Sequence, residues 1–77
     1  MKTRSYRILI TEEPEDGYTV TVPVLPGCVT YADIISDAKS MAKEAIELYI
    51  ECLIDEGEPV PTEENTFETM ILLEQNV

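Results

Sequence analysis

Near residue 34 the hydrophobic period of this chain changes from that of strands to that of a helix, and firm stop signals follow about twenty residues later. From about Ile34 to Glu56, Ala38, Ala42, Ala45, Tyr49, Cys52 and Leu53 recur at three- and four-residue steps, which lines them along one helical face. Asp33 is the expected N-cap, and Asp37 suits the positive end of the helix dipole. Gly57 can take the left-handed position just past the helix, and Pro59 and Pro61 forbid continuation.

The flanking segments read as strands and turns. Ser5 to Thr11 alternates Tyr6, Ile8 and Ile10 against Arg7, Leu9 and Thr11, the period of a half-buried strand. Glu12 to Gly17 supplies turn chemistry, and Tyr18, Val20 and Val22 then resume the inward face, which predicts an antiparallel hairpin. Pro23 and Pro26 flank Val24-Leu25, with Gly27 after them, so the ladder frays there and the chain turns. Cys28 to Tyr31 predicts a short third strand.

After a polar, Pro-containing linker, Thr66 to Glu74 carries the consecutive apolar run Met70-Ile71-Leu72-Leu73. Periodicity alone fits a buried strand or a short buried helix, and the length with the Pro-rich turn before it favours a strand. The order is β-β-β-α-β. This α+β chain is expected to hold three antiparallel strands, a crossover helix and a fourth strand parallel to the first.

At 77 residues the chain, 1–77, is expected to be one domain. A chain this short buries only about 60% of its unfolded surface, so self-association, as a dimer or tetramer, is expected to add buried area. No apolar run approaches a membrane span, and Met1-Lys2-Thr3-Arg4 leads into no apolar signal core. The expectation is a cytoplasmic protein without membrane contact, with Cys28 and Cys52 as buried free thiols.

Charge narrows the function classes. Sixteen acids against five bases give −11, and every charged residue from Glu44 onward is acidic. Such a surface repels phosphate backbones, which argues against direct nucleic-acid binding, and it attracts a basic partner. Simple solubility is the plainer use of the same charge. There is no histidine, which removes the usual general base and every Ser-His or Cys-His pair. Two cysteines without histidine cannot close a zinc site within one chain, and three glycines form no phosphate loop. The strand centres Ile8-Leu9-Ile10 and Val20-Thr21-Val22 carry no acid. The chain is therefore expected to be no enzyme and to use no metal or cofactor.

One helix feature stands outside the apolar stripe. Ile46, Ile50 and Ile54 form a ridge at its edge, and Glu47, Glu51 and Asp55 form an acidic line beside it. An apolar ridge next to acids suits a partner or oligomer interface. Alternatively, the last strand or its linker covers the ridge as ordinary core.

The stretch Val22-Pro23-Val24-Leu25-Pro26-Gly27-Cys28-Val29-Thr30 resembles HicB-like antitoxins. So do the Asp16-Gly17-Tyr18 hairpin exit, the helix with Glu44-Ala45 and Tyr49, and the exit Gly57-Glu58-Pro59-Val60-Pro61. Ala32, Ile34 and Ser36-Asp37 depart from that family's usual glycine, helix cap and acidic pair. The resemblance implies a partial RNase H-like fold without the nuclease carboxylates. It implies a partner as well: a HicA-like toxin, a small basic ribonuclease that the antitoxin occludes. Many of these antitoxins carry a C-terminal DNA-binding domain, for which this chain is expected to lack room. An orphan self-associating scaffold or ligand-sensing domain is the alternative.

Overall fold

The computed structural model describes residues 3–76. β1 (Leu9–Glu12), β2 (Tyr18–Thr21) and β3 (Val29–Ala32) form an antiparallel sheet in the order β1-β2-β3. The register sets Ile10, Val20 and Thr30 in one row and Leu9, Thr21 and Val29 in the next. Because side chains alternate along a strand, the first row looks inward and buries Val20, while the second leaves Leu9 and Val29 in solvent. The sheet is covered on one face only, as antiparallel sheets allow.

The β1–β2 hairpin turns through Pro14-Glu15-Asp16 and closes with the Glu13 amide donating to the Gly17 carbonyl at 3.0 Å. Gly17 sits at φ +79°, and a Cβ there would lie 3.1 Å from the Ala32 carbonyl oxygen. A three-residue hairpin loop favours a left-handed residue at its exit, and a Cβ here would in addition press on the Ala32 carbonyl.

The segment after β2 does more than turn. Leu25 N–H donates to the Val22 carbonyl at 3.0 Å, Cys28 N–H to the Leu25 carbonyl at 2.9 Å and Val22 N–H to the Cys28 carbonyl at 3.1 Å. This tight loop drives Leu25 inward, where with Val22 and Cys28 it makes a buried cluster against Tyr6, Ile8, Ala45 and Tyr49. A second cluster joins Val20 and Ala32 of the sheet to Ala38 and Ala42. The alanines let the helix lie close to the strands.

The helix begins differently from expectation. Ile35–Asp37 form a 3-10 turn, and α1 follows as Ala38–Asp55. Asp33 caps neither: the residues in the cap positions are Ile34 and Asp37, without side-chain caps, and the Ser40 hydroxyl donates to the Asp37 carbonyl at 3.0 Å. The 3-10 turn moves the α-helical start several residues past Asp33, beyond its reach. The other end is as expected. Gly57 at φ +72° bonds from its amide to the Ile54 carbonyl, and Glu58 bonds to the Leu53 carbonyl, the paired bonds that end a helix on a left-handed glycine.

These glycines support a graded prediction. A Cβ on Gly57 meets nothing within 4 Å, so Gly57→Ala should cost only the backbone strain, about 1–2 kcal/mol. Gly17→Ala adds the contact with Ala32 and should cost more. Urea melts of the two variants check the ranking, and equal losses would mean that the Ala32 carbonyl yields freely.

Two further expectations are corrected. Cys28 is buried as expected, but Cys52 is exposed, and both are free. Cys52 lies at the edge of the helix stripe, on a flank that no strand covers. Thr66 to Glu74 makes no strand in the single chain, since no element is assigned to these residues. A turn with Thr66 N–H bonded to the Glu63 carbonyl precedes it, and β1, the expected neighbour, pairs with β2 alone.

Candidate functional site

The acidic line forms as the helix spacing requires. Glu47, Glu51 and Asp55 are all exposed. Among the described residues none of them has a basic partner, because the ion pairs present join Arg7 to Glu63 and Glu68. Three carboxylates one turn apart on a free helix face make a local negative potential for an incoming cationic surface.

The isoleucine ridge divides. Ile46 and Ile50 are half-buried, and Ile46 packs against the Leu25 cluster. Ile54 is 59% exposed. Helical geometry sets Ile54 nearest the acids, and Leu48, 65% exposed, lies on their other flank. Leu48 escaped the sequence reading because its spacing from Ala45 and Cys52 also fits the core stripe; its exposure beside the acids identifies it only in three dimensions. The outward face of α1 thus combines three carboxylates with two apolar side chains.

On the other side of the ridge, Ile46 and Ile50 look into an open groove of about 1500 Å³. Tyr6, Ile8 and Ile10 form its strand side, and Ala42 lies on its helix side. Arg4, Lys39 and Lys43 also line it, as do Glu47, Glu51 and Ile54 at the edge it shares with the acidic row. The ridge is therefore neither sealed core nor wholly free.

Two polar ties fix α1 and the following linker to the sheet. Tyr49 donates its hydroxyl to the Pro26 carbonyl at 2.7 Å, holding the helix over the Leu25 loop. Tyr6 donates to the Pro61 carbonyl at 2.7 Å. Beside it, Glu63 accepts from the Arg7 amide at 2.5 Å and from Arg7 Nε at 2.7 Å. The Arg7 amide, together with the guanidinium, holds the Glu63 carboxyl below the usual glutamate range, and Glu63 in turn pushes Arg7 up. Burial pushes the Cys28 thiol up.

The Glu63 shift has a definite sign. A carboxyl whose pKa is lower folded than unfolded adds stability above its ordinary range, and that contribution is lost as pH falls through the folded value. Glu63→Gln should therefore destabilise the protein near neutral pH and flatten the acid limb of its stability curve. Thermal melts from pH 7 to 3 check this; parallel curves for the two proteins would refute the assignment.

Among the described residues, no three His, Cys, Asp or Glu side chains are grouped to hold a metal ion, and no helix is long and apolar enough to cross a membrane. The groove and the acidic helix face together describe a domain whose candidate working parts are surfaces for other chains. Comparison with known proteins gives that class a family. The family described as HicB-like antitoxin of bacterial toxin-antitoxin system matches residues 6–75. The chain belongs to this family, whose role is regulatory.

A UPF0150 protein of Synechocystis is 43% identical over 60 residues, covering 78% of this chain and 76% of that protein. A UPF0150 protein of Thermoplasma acidophilum is 41% identical over 56 residues, covering 73% of this chain and 81% of its own. Among solved structures, a chain of the HicA3 and HicB3 toxin-antitoxin complex superposes with a TM-score of 0.62 at 28% identity. That match covers 73% of this chain and 64% of the solved one, so it spans less than two thirds of that chain.

Proposed function

We propose that this chain is a cytoplasmic, non-enzymatic antitoxin subunit that binds a small basic HicA-like ribonuclease and blocks its RNA site. The observation that carries the reading is the exposed, unpaired row Glu47, Glu51 and Asp55, flanked by Leu48 and Ile54. Carboxylates at one-turn spacing can stand where RNA phosphates would otherwise sit on a basic surface, while the two apolar side chains desolvate against it. The complex formed by the HicA3 and HicB3 proteins supports this choice of partner.

The same negative surface disfavours RNA itself as the ligand. The unit at work is proposed to be residues 1–77 as a single domain, assembled as a dimer or tetramer. Its fold is proposed to be the partial RNase H-like arrangement, completed by a fourth strand at β1. An orphan scaffold without a toxin is the competing reading, and the open groove beside β1 is what favours it.

The test pairs the purified chain with a HicA-like ribonuclease. Equimolar chain should suppress RNA cleavage, and the triple variant Glu47→Gln, Glu51→Gln, Asp55→Asn should restore most of it. Full cleavage with no complex at micromolar concentrations would move the assignment to the orphan scaffold.

A further inference from the structure

Residues 67–74 present a problem of exposure. Phe67, Met70, Ile71, Leu72 and Leu73 are 73–94% exposed. Among the described residues, no backbone hydrogen bond engages the chain beyond Thr66. The radius of gyration is 15.1 Å, against about 11–12 Å for a compact chain of this length, and the longest dimension is 51 Å against 30 and 21 Å for the others. The root of the segment is nevertheless fixed. Tyr6–Pro61 and Arg7–Glu63 clamp it beside the approach to β1, and Glu68 reaches Arg7 at 3.8 Å. A segment pinned at its root, apolar along its length and directed off the body has the form of an arm.

The body carries a matching vacancy. β1 is an edge strand with one side unpaired, and an unpaired edge is a template for another strand. Between that edge and α1 lies the groove lined by Ile8, Ile10, Ala42, Ile46 and Ile50. Eight residues of strand extend about 26 Å, and the helix wall from Lys39 to Ile54 runs about 22 Å, so one arm fills one groove. The groove also offers partners for the charges that bracket the arm: Glu68 and Glu74 flank it, and Arg4, Lys39 and Lys43 line the groove alongside Glu47 and Glu51.

We propose that residues 67–74 of each subunit lie in the β1 groove of a second copy, as a fourth strand in a reciprocally exchanged dimer. The exchange satisfies the β1 edge, covers Ile46 and Ile50, and removes the arm from water in one step. A two-fold pair closes on itself, with each subunit giving one arm and accepting one. Glu47 and Glu51 line the same groove, and only Asp55 of the acidic row lies outside it. The exchange and the toxin reading therefore share this rim, but the oligomeric state tests the exchange with no toxin present.

Light scattering and subunit mixing test it on the full chain. Wild type should run at twice 8.7 kDa or an even multiple of that. An arm variant, Ile71→Asp with Leu72→Asp, spoils both faces of the strand. A groove variant, Ile50→Asp, alters a residue outside both core clusters. Each should keep its circular dichroism spectrum and raise the dimer dissociation constant by roughly 100-fold or more, as expected for lost apolar anchors. Mixed one to one, the variants should recover a dimer, because the intact groove of one accepts the intact arm of the other. If Ile50→Asp fails to fold, Ile10→Asp on the strand wall takes its place. A wild-type monomer, in which the arm closes on its own groove, overturns the proposal. So do variants with unchanged mass, or folded variants that do not complement each other.

Discussion

Leu25→Ala is expected to cost about 3 kcal/mol, within the range of about 2–5 kcal/mol for emptying a buried leucine site. Leu25 is 1% exposed and, with Val20, is one of the two largest side chains that are fully enclosed. The site has little freedom to collapse, because three backbone hydrogen bonds tie residues 22, 25 and 28 together and Tyr49 is held above by its bond to the Pro26 carbonyl. A protein of this size has roughly 4–12 kcal/mol of stability in all, so the loss should lower the melting midpoint by roughly 15 °C. Val24→Ala, at the half-buried neighbour, should cost less than about 1.5 kcal/mol. Melts at one fixed protein concentration check both. Similar losses at the two positions would mean that Leu25 is no anchor.

Neutralising Glu47, Glu51 and Asp55 together should slow association with a HicA-like ribonuclease by roughly 10–100-fold at low salt, with little change in dissociation. Screening shortens the reach of exposed charges to about 8 Å at physiological salt. The gap between variant and wild type should therefore close as salt rises. Ile54→Ala should act on the other rate, speeding dissociation by roughly tenfold through loss of a desolvated apolar contact. Ile50→Ala should weaken self-association instead, because Ile50 is half-buried in the groove wall whereas Ile54 stands more exposed beside the acids. Stopped-flow traces decide: unchanged association for the acid variant would place toxin docking elsewhere.

The parts that were legible in the sequence depend on neighbours close in the chain. The Tyr18-Val20-Val22 alternation, the Asp16-Gly17 turn and the Gly57 stop are local, and all appear where expected. The acidic line follows from helix geometry alone. What was not legible depended on distant partners. Asp33 lost its cap role to a 3-10 turn, and Cys52 is exposed because three short strands leave that helix flank bare. Leu25 read as a loop residue between prolines, yet it anchors a core cluster, which only the closed loop reveals. The run Met70-Ile71-Leu72-Leu73 predicted a fourth strand that the chain does not form, since an apolar run does not say where a partner edge will be.

The exposed arm has one more consequence. Thr69-Met70-Ile71-Leu72-Leu73 is apolar and β-prone, with neither proline nor charge, and Glu68 and Glu74 stand immediately on either side of it. Segments of that kind stack into cross-β fibrils when many copies meet, and flanking charges act as gatekeepers against it. The net charge of −11 adds a long-range barrier between copies, and it vanishes near the isoelectric point of about 4.1. The acidity proposed to serve recognition at neutral pH is thus also a colloidal safeguard of this chain, and mild acid is the condition under which its exposed apolar segments are freest to stack.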